Sequence, residues 1–216
     1  MSINKTYAVF GLGKYGTAVA AELTNAGAEV IAVDVRQDAV DAAGLFLPTC
    51  KCADVTDPEV IRRLGIGNVD TVIIAMADSL EASVMATILC KEAGVQTVIT
   101  KCADEIHKKI YEKVGADLVV FPESESGTRL AKNLLSSGFV DLLELTEGVS
   151  MVELEVRDAW VGKSLAELNL RKKYALNVVA LHMGAAIVTA IDPMMPLDKD
   201  MKLIVIADTE KLTKLK

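Results

Sequence analysis

Aromatic and histidine side chains are nearly missing from this chain: aromatics are 4% of the sequence, and there are 2 histidines in 216 residues. Any core must therefore be aliphatic, drawn from the Val, Ile, Leu, Ala and Met that dominate an apolar content of 51%. Cysteine is also sparse. Cys50, Cys52, Cys90 and Cys102 form no C-x-x-C pair and have no histidine nearby. They read as small buried hydrophobes in a reducing compartment, not as a disulfide framework or a tetrahedral zinc set. On a strand, Cys50 and Cys52 would share one face. No apolar run approaches the ~20 residues that span a bilayer, and the N-terminus runs straight into an apolar strand, so no signal peptide is expected. Positive charge is short as well. The formal net charge is −7, and the basic runs Lys108-Lys109 and Arg171-Lys172-Lys173 are brief solvated faces. Nucleic-acid affinity comes largely from Lys and Arg neutralising phosphates, so a nucleic-acid partner is not expected.

Catalytic constellations are missing too. There is no Ser-x-x-x-Lys, Tyr-x-x-x-Lys or Gly-x-Ser-x-Gly. His107 falls in a predicted helix beside two lysines, and His182 ends a predicted strand beside a turn; both read as structural or solvated. General acid–base chemistry needs a positioned proton-transfer group, and the sequence offers none, so an enzyme is not expected.

What is present is a strict alternation. Short Val- and Ile-rich runs at 7–10, 30–33, 72–75, 98–100 and 118–121 predict buried strands, with a less definite one at 49–53 whose start is blurred by Pro48. Helical spacing occupies 17–25, 58–64, 78–93 and 105–114. Strands apolar on both faces belong to a parallel sheet covered by helices on both sides, and repeated β-α units wind it with right-handed crossovers. After 121 the rhythm changes: a helix at 124–137, then short strands at 140–145, 151–156, 177–182, 186–191 and 202–207 with one short helix near 164–168. The fold class read from this is α/β, a Rossmann-type doubly wound parallel sheet (1–137, including the crossover helix) followed by a small α+β lobe (138–216).

The first strand runs into Gly11-Leu12-Gly13-Lys14-Tyr15-Gly16 and then a helix, and Asp34 closes the second strand. A lone G-x-G-x-x-G is weak, but the strand, helix and acid in register make a dinucleotide-binding fingerprint. Gly11 permits the tight turn, Gly13 lets a pyrophosphate approach the backbone, and Gly16 lets the helix pack close. The helix N-terminus offers free N–H groups and partial positive charge to phosphates. Asp34, followed by Val35 and Arg36, would accept hydrogen bonds from ribose hydroxyls. An acid there disfavours a 2′-phosphate, although Arg36 does not exclude NADP by charge. Expected ligands are NAD(H), ATP, ADP or AMP. Asp54-Val55 after the third strand, Ala75-Met76-Ala77 after the fourth and Lys101 after the fifth join the expected cofactor-binding set; Asp54, the Ala-Met-Ala run and Lys101 could equally be solvated loop residues.

Three segments carry a family resemblance: Tyr-Ala-Val-Phe-Gly-Leu-Gly-Lys-Tyr-Gly at 7–16, Val-Ile-Ala-Val-Asp at 30–34 and Gly-Ala-Asp-Leu-Val-Val-Phe-Pro-Glu at 115–123. They resemble RCK domains (regulators of K⁺ conductance), above all the KtrA-type cytosolic regulatory subunits of Ktr/Trk potassium-uptake systems. The C-terminal lobe resembles the family's second subdomain at Val152-Glu153-Leu154 and at 168–174. The resemblance implies a homo-oligomer, dimers assembling into an octameric ring beneath a membrane-embedded K⁺-translocating subunit. It also implies ATP or ADP in the cleft as the gating signal, NAD(H) as a further ligand, and a cytoplasmic location at the inner face of the plasma membrane. The implied ligand set is Gly11, Gly13, Gly16, Asp34, Asp54 and Lys101. Lys14 stands where the family often has Arg, which keeps the charge but loses the bidentate fork. The resemblance makes Glu123 a ligand for Mg²⁺ or Ca²⁺; a glutamate in a helix's first turn is also favoured by the dipole alone. It makes Leu165, Asn169, Arg171, Asn177, Val178 and Pro193 a cyclic di-AMP site at a dimer interface, with Arg171 meeting phosphate; the same residues also suit the core and rim of a small lobe that only dimerises. Competing readings are a small NAD(P)-dependent oxidoreductase and an NADH-responsive module of a different transporter.

Overall fold

The computed structural model describes residues 5–76, 79–135, 139–146, 148–208 and 212. The chain divides into two compact units, Met1–Glu123 and Ser124–Lys216.

The first unit alternates strands and helices: β1 (Thr6–Phe10), α1 (Lys14–Asn25), β2 (Glu29–Asp34), α2 (Gln37–Ala43), β3 (Cys50–Cys52), α3 (Pro58–Arg63), β4 (Thr71–Ile74), α4 (Leu80–Glu92), β5 (Thr97–Lys101), α5 (Glu105–Val114) and β6 (Leu118–Val120). All pairings are parallel, in the order β3-β2-β1-β4-β5-β6. Side chains alternate across a strand, and the cores follow that period. Ala8, Phe10, Val72 and Ile74 join one buried cluster with Ile61 and Leu89 of α3 and α4. Val9 and Ile73 join another with Ala20 and Val40 of α1 and α2. Both faces are thus covered, as the unbroken apolar runs require. The strand order reverses between β1 and β4, and in such sheets ligands bind in the crevice opened there.

Local chemistry sets the helix starts. The Asp57 carboxylate accepts from Glu59 N–H with Pro58 in the first turn of α3. Ser79 Oγ accepts from Ala82 N–H at α4, and Asp104 accepts from the Ile106 and His107 N–H groups at α5. These are the donors a helix start leaves without intrahelical partners.

Two expectations change. Helix α2 is additional to the helices read from the sequence; its seven residues carry no side-chain cap and bury only Val40 and Ala43, too short a stripe to register as periodicity. Cys52 is exposed and Cys50 half-buried, whereas Cys90 and Cys102 are buried. The reading of all four as buried hydrophobes fails at β3, because an edge strand has sheet on one side only. His107 is half-buried, with Nδ1 3.1 Å from Asp104 Oδ2, a structural placement.

Helix α6 (Pro122–Leu135) leads into the second unit, which contains β7 (Phe139–Thr146), β8 (Val149–Glu155), α7 (Leu165–Leu168), α8 (Leu170–Tyr174), β9 (Asn177–Met183), β10 (Ala186–Val188) and β11 (Met201–Asp208). Its sheet is antiparallel, in the order β10-β9-β11-β8-β7. One face supplies Val152, Leu154, Leu181, Leu203 and Val205 to a core closed by Trp160, Leu168, Leu170 and Leu197. Helix α7 starts with a reciprocal capping box between Ser164 and Glu167. Asn169, in the left-handed conformation, separates it from α8, which sequence periodicity did not mark. The strand expected at 186–191 ends at Val188. Leu203 is fully buried on β11, between β8 and β9. Leu203→Ala is expected to destabilise the second unit by about 2–5 kcal/mol through lost burial and a residual cavity, read from urea unfolding followed by Trp160 fluorescence.

Candidate functional site

The loop after β1 is shaped from within the chain. Gly11 has φ +92°, a conformation that L side chains rarely adopt, and a Cβ there would meet Met76 Cγ at 2.9 Å. Its N–H donates to Val33 O at 2.8 Å. Gly16 lies one turn into α1, where a Cβ would sit 1.9 Å from Gly11 O; α1 therefore packs directly on the loop. Gly13 differs: extended and at the N-cap of α1, it has nothing within 4 Å of where a Cβ would stand. The first turn of α1 holds neither a side-chain cap nor an acidic residue. A helix end in that condition presents N–H groups and partial positive charge to an anion.

Asp34, 8% exposed, fixes the other wall. Its Oδ2 accepts from Leu12 N–H at 2.7 Å and its Oδ1 from Arg36 N–H at 2.8 Å, with Arg36 Nε 3.5 Å from Oδ1. Each oxygen keeps a further lone pair, which is the capacity a sugar diol would use. Beyond it, Asp54 accepts from Thr56 N–H and Oγ1, and the hydroxyl and amide bonds, in that order, hold its carboxyl below the usual aspartate range.

Between these walls lies a cleft of about 840 Å³ lined by Gly11, Gly13, Val33, Asp34, Val35, Arg36, Ala53, Asp54, Val55, Thr56, Ala75 and Met76, with Ser79, Glu81, Ala82 and Met85 from the start of α4. The volume suits a nucleotide-sized ligand. Nine of the residues singled out in the sequence meet here: Gly11, Gly13, Asp34, Val35, Arg36, Asp54, Val55, Ala75 and Met76. Leu12 and Gly16 are buried beneath the loop and Lys14 is exposed on the first turn of α1; Ala77 lies outside the described residues. The α4 wall was missed by sequence reasoning. The available signal was the expected opening after β4, whose next turn is the α4 start.

Lys101, expected in the cofactor-binding set, and Glu123, expected to hold a cation, are not among the cleft-lining residues. Lys101 Nζ lies 2.6 Å from Glu123 Oε1 and 5.7 Å from the Tyr15 ring centroid. The bond from Lys101 holds the Glu123 carboxyl below the ordinary glutamate range, against a smaller effect of burial. Among the described residues, no group of three or more His, Cys, Asp and Glu side chains is arranged to hold a metal ion. Neither histidine lines the cleft. His182 Nδ1 is 3.1 Å from Glu153 Oε2, and Lys202 Nζ is 2.8 Å from Glu153 Oε1. Burial alone would raise the Glu153 carboxyl; the Lys202 and His182 donors more than offset it, so it stays below the usual range.

In the second unit, Leu165 and Val178 pack half-buried against the core. Pro193 O accepts from Ala166 N–H at 2.9 Å, tying its loop to α7. Arg171 is exposed on α8, Asn169 is the left-handed link before it, and Asn177 Nδ2 donates to Ile206 O at 3.4 Å.

The TrkA-N domain family matches residues 7–122 and the TrkA-C domain family residues 149–216. The chain is 35% identical over 188 residues to Ktr system potassium uptake protein C of Bacillus subtilis (strain 168), covering 87% of this chain and 85% of that protein. It is 35% identical over 209 residues to Ktr system potassium uptake protein A of Vibrio alginolyticus, covering 97% and 95%. Among solved structures, the GsuK RCK domain superposes with a TM-score of 0.53 at 22% identity over 98% of this chain; the chain spans 46% of that longer one, and the likeness establishes the shared fold. Both units match in order, with relatives at this identity along most of their length, and the chain belongs to the TrkA-N/TrkA-C family, with the Ktr system potassium uptake proteins among its relatives.

Proposed function

We propose that this chain is a cytosolic regulatory subunit that binds an adenine nucleotide, ATP or ADP, and through it gates a membrane-embedded K⁺-translocating subunit. The observation that carries the reading is the cleft at the β1/β4 reversal, where an uncapped helix end and an open Gly13 face a carboxylate with acceptor capacity to spare. Among the described residues, the titratable side chains lining it are Asp34, Asp54, Glu81 and Arg36, and the Asp34 and Asp54 carboxylates are both held by hydrogen bonds within the chain, which supports a recognition role. The Ktr relatives support the potassium-uptake context. The reading extends to NAD(H) as a further occupant and to Mg²⁺ or Ca²⁺ at Glu123. It includes cyclic di-AMP at Leu165, Asn169, Arg171, Asn177, Val178 and Pro193, and an octameric ring of dimers. It keeps the division at 137/138, with the crossover helix counted in the nucleotide-binding domain.

Calorimetric titration of the purified chain with ATP, ADP, NADH and cyclic di-AMP, followed by sizing of each complex, tests this. Saturable binding of an adenine nucleotide to a multimer, with no hydride transfer to a panel of carbonyl substrates, is the expected result. A monomer indifferent to all four ligands would end the reading. Rapid NADH turnover would replace it with a small NAD(P)-dependent oxidoreductase.

A further inference from the structure

The start of α4 gives the cleft Ser79, Glu81, Ala82 and Met85. Ser83 belongs to the same stretch but does not line it, and is 0% exposed. A serine within a helix ordinarily bonds the carbonyl one turn back. The Ser83 hydroxyl instead donates out of the helix, to Met76 O at 2.9 Å. Met76 lines the cleft and packs on the glycine loop, where a Cβ on Gly11 would meet its Cγ at 2.9 Å. One hydroxyl therefore joins the α4 wall of the cleft to the loop after β1.

The helix behind that hydroxyl is itself anchored. Thr87, one turn further along α4, donates from Oγ1 to Ser83 O at 2.7 Å and stands 3.4 Å from Thr100 Oγ1 of β5; both threonines are buried. Tyr111 of α5, also buried, is hydrogen-bonded to the Ser83 hydroxyl. The Ser83 proton is committed to Met76 O, which can only accept, so the Tyr111 hydroxyl is the donor in that bond. Met76 O also accepts from Ser79 N–H at 3.1 Å. Removing the Ser83 hydroxyl therefore leaves Met76 O paired and the Tyr111 hydroxyl without its acceptor.

We infer that Ser83 is a positioning residue of the cleft: without touching a ligand, its hydroxyl holds Met76 at a set distance from the α4 wall, so that the cleft has its binding shape before a ligand enters. A cleft shaped in advance spares the ligand the cost of ordering it. Loss of the tether lowers the fraction of chains in the competent shape, and such a fraction weakens every occupant by one common factor. The inference rests on the nucleotide-binding reading and adds to it the residue that sets the width of the site.

The full chain is titrated with ATP, ADP and AMP, and each variant is also unfolded in urea. Ser83→Ala should weaken all three nucleotides by the same factor, about two- to ten-fold, the worth of one neutral hydrogen bond. It should also lower stability, because the Tyr111 hydroxyl loses its acceptor in the core. Combining Ser83→Ala with Tyr111→Phe removes both partners, which is close to neutral for stability. The unfolding midpoint of that double variant should return toward that of the unsubstituted chain while its affinities stay reduced. Tyr111→Phe alone leaves the Ser83–Met76 bond in place and should bind as the unsubstituted chain does. The Ser79 amide, which shares Met76 O, should exchange faster in Ser83→Ala without nucleotide and slow again at saturating ATP. Affinities that recover together with stability in the double variant overturn the inference, since Ser83 would then serve the core alone. So do unchanged affinities or an unchanged Ser79 exchange in Ser83→Ala, and so does a loss confined to one nucleotide, which would make Ser83 a ligand contact. An unsubstituted chain that binds none of the three overturns the nucleotide reading itself, and the Ser79 exchange of the free chain then still reports on the tether.

Discussion

A Gly16→Ala chain should lose both nucleotide binding and a large part of the first unit's stability. The added methyl would be centred 1.9 Å from Gly11 O and 3.1 Å from Ala75 Cβ. The first obstacle is backbone, which cannot rotate away as a side-chain tip can. Either α1 lifts from the loop or the loop opens, and overpacking of this kind costs about 1–3 kcal/mol or more. Gly13→Ala provides the contrast. Nothing lies within 4 Å of that methyl, and Ala for Gly at an N-cap costs less than about 1 kcal/mol. The Gly13 variant should therefore melt near the unsubstituted chain yet bind nucleotide poorly, because the methyl stands where a phosphate would approach. Thermal unfolding paired with ATP titration separates the two effects. If Gly16→Ala melts and binds like the unsubstituted chain, the packing of α1 on the loop is not what shapes the site.

Asp34→Asn should be nearly as damaging despite its small size. The two backbone donors, Leu12 N–H and Arg36 N–H, address different oxygens of the carboxylate. An asparagine has one oxygen and one NH₂ group, so one of the two N–H groups must face another donor. If that is Leu12, whose bond to Asp34 is buried, the unpaired group costs about 1–3 kcal/mol. The same change removes half of the acceptor surface offered to a sugar. Urea unfolding should show the loss in stability, and titration with adenosine, which carries no phosphate, should show the loss of the sugar contact. Adenosine affinity equal to that of the unsubstituted chain would mean that Asp34 serves the loop alone.

Much of this architecture could be read from the residues. The strands of the first unit are continuous apolar runs whose neighbours in the sheet follow from repeated β-α units, and the glycine loop and Asp34 are set by a spacing that the β1–β2 pairing enforces. What escaped was short or non-local. Helix α2 buries two residues, and α8 is cut from α7 by a left-handed asparagine, so neither offers a full period. The α4 wall of the cleft comes from Ser79, Glu81, Ala82 and Met85, which carry no motif and matter because β4 delivers them beside β1. The pairing of Lys101 with Glu123 was equally invisible. Each was assigned a separate partner, and only the neighbouring placement of the β5 end and the α6 start brings them within hydrogen-bonding distance. Cys52 was misjudged because burial depends on where a strand stands in its sheet, and a sequence does not mark which strand will lie at the rim.

The bond between Leu12 and Asp34 also ties recognition to the order of folding. Its two ends sit just beyond Phe10 and Val33, which face each other across the parallel β1–β2 ladder. The bond therefore closes only after α1 has carried the chain back and β2 has docked in register. A growing chain that has made β1 and α1 alone has the glycines but not their arrangement, and the cradle comes into being together with the tertiary structure. On the reading proposed above, competence to bind a nucleotide would therefore arrive only with the completed β1–β2 pairing, and a chain arrested before that pairing should leave the ligand in solution.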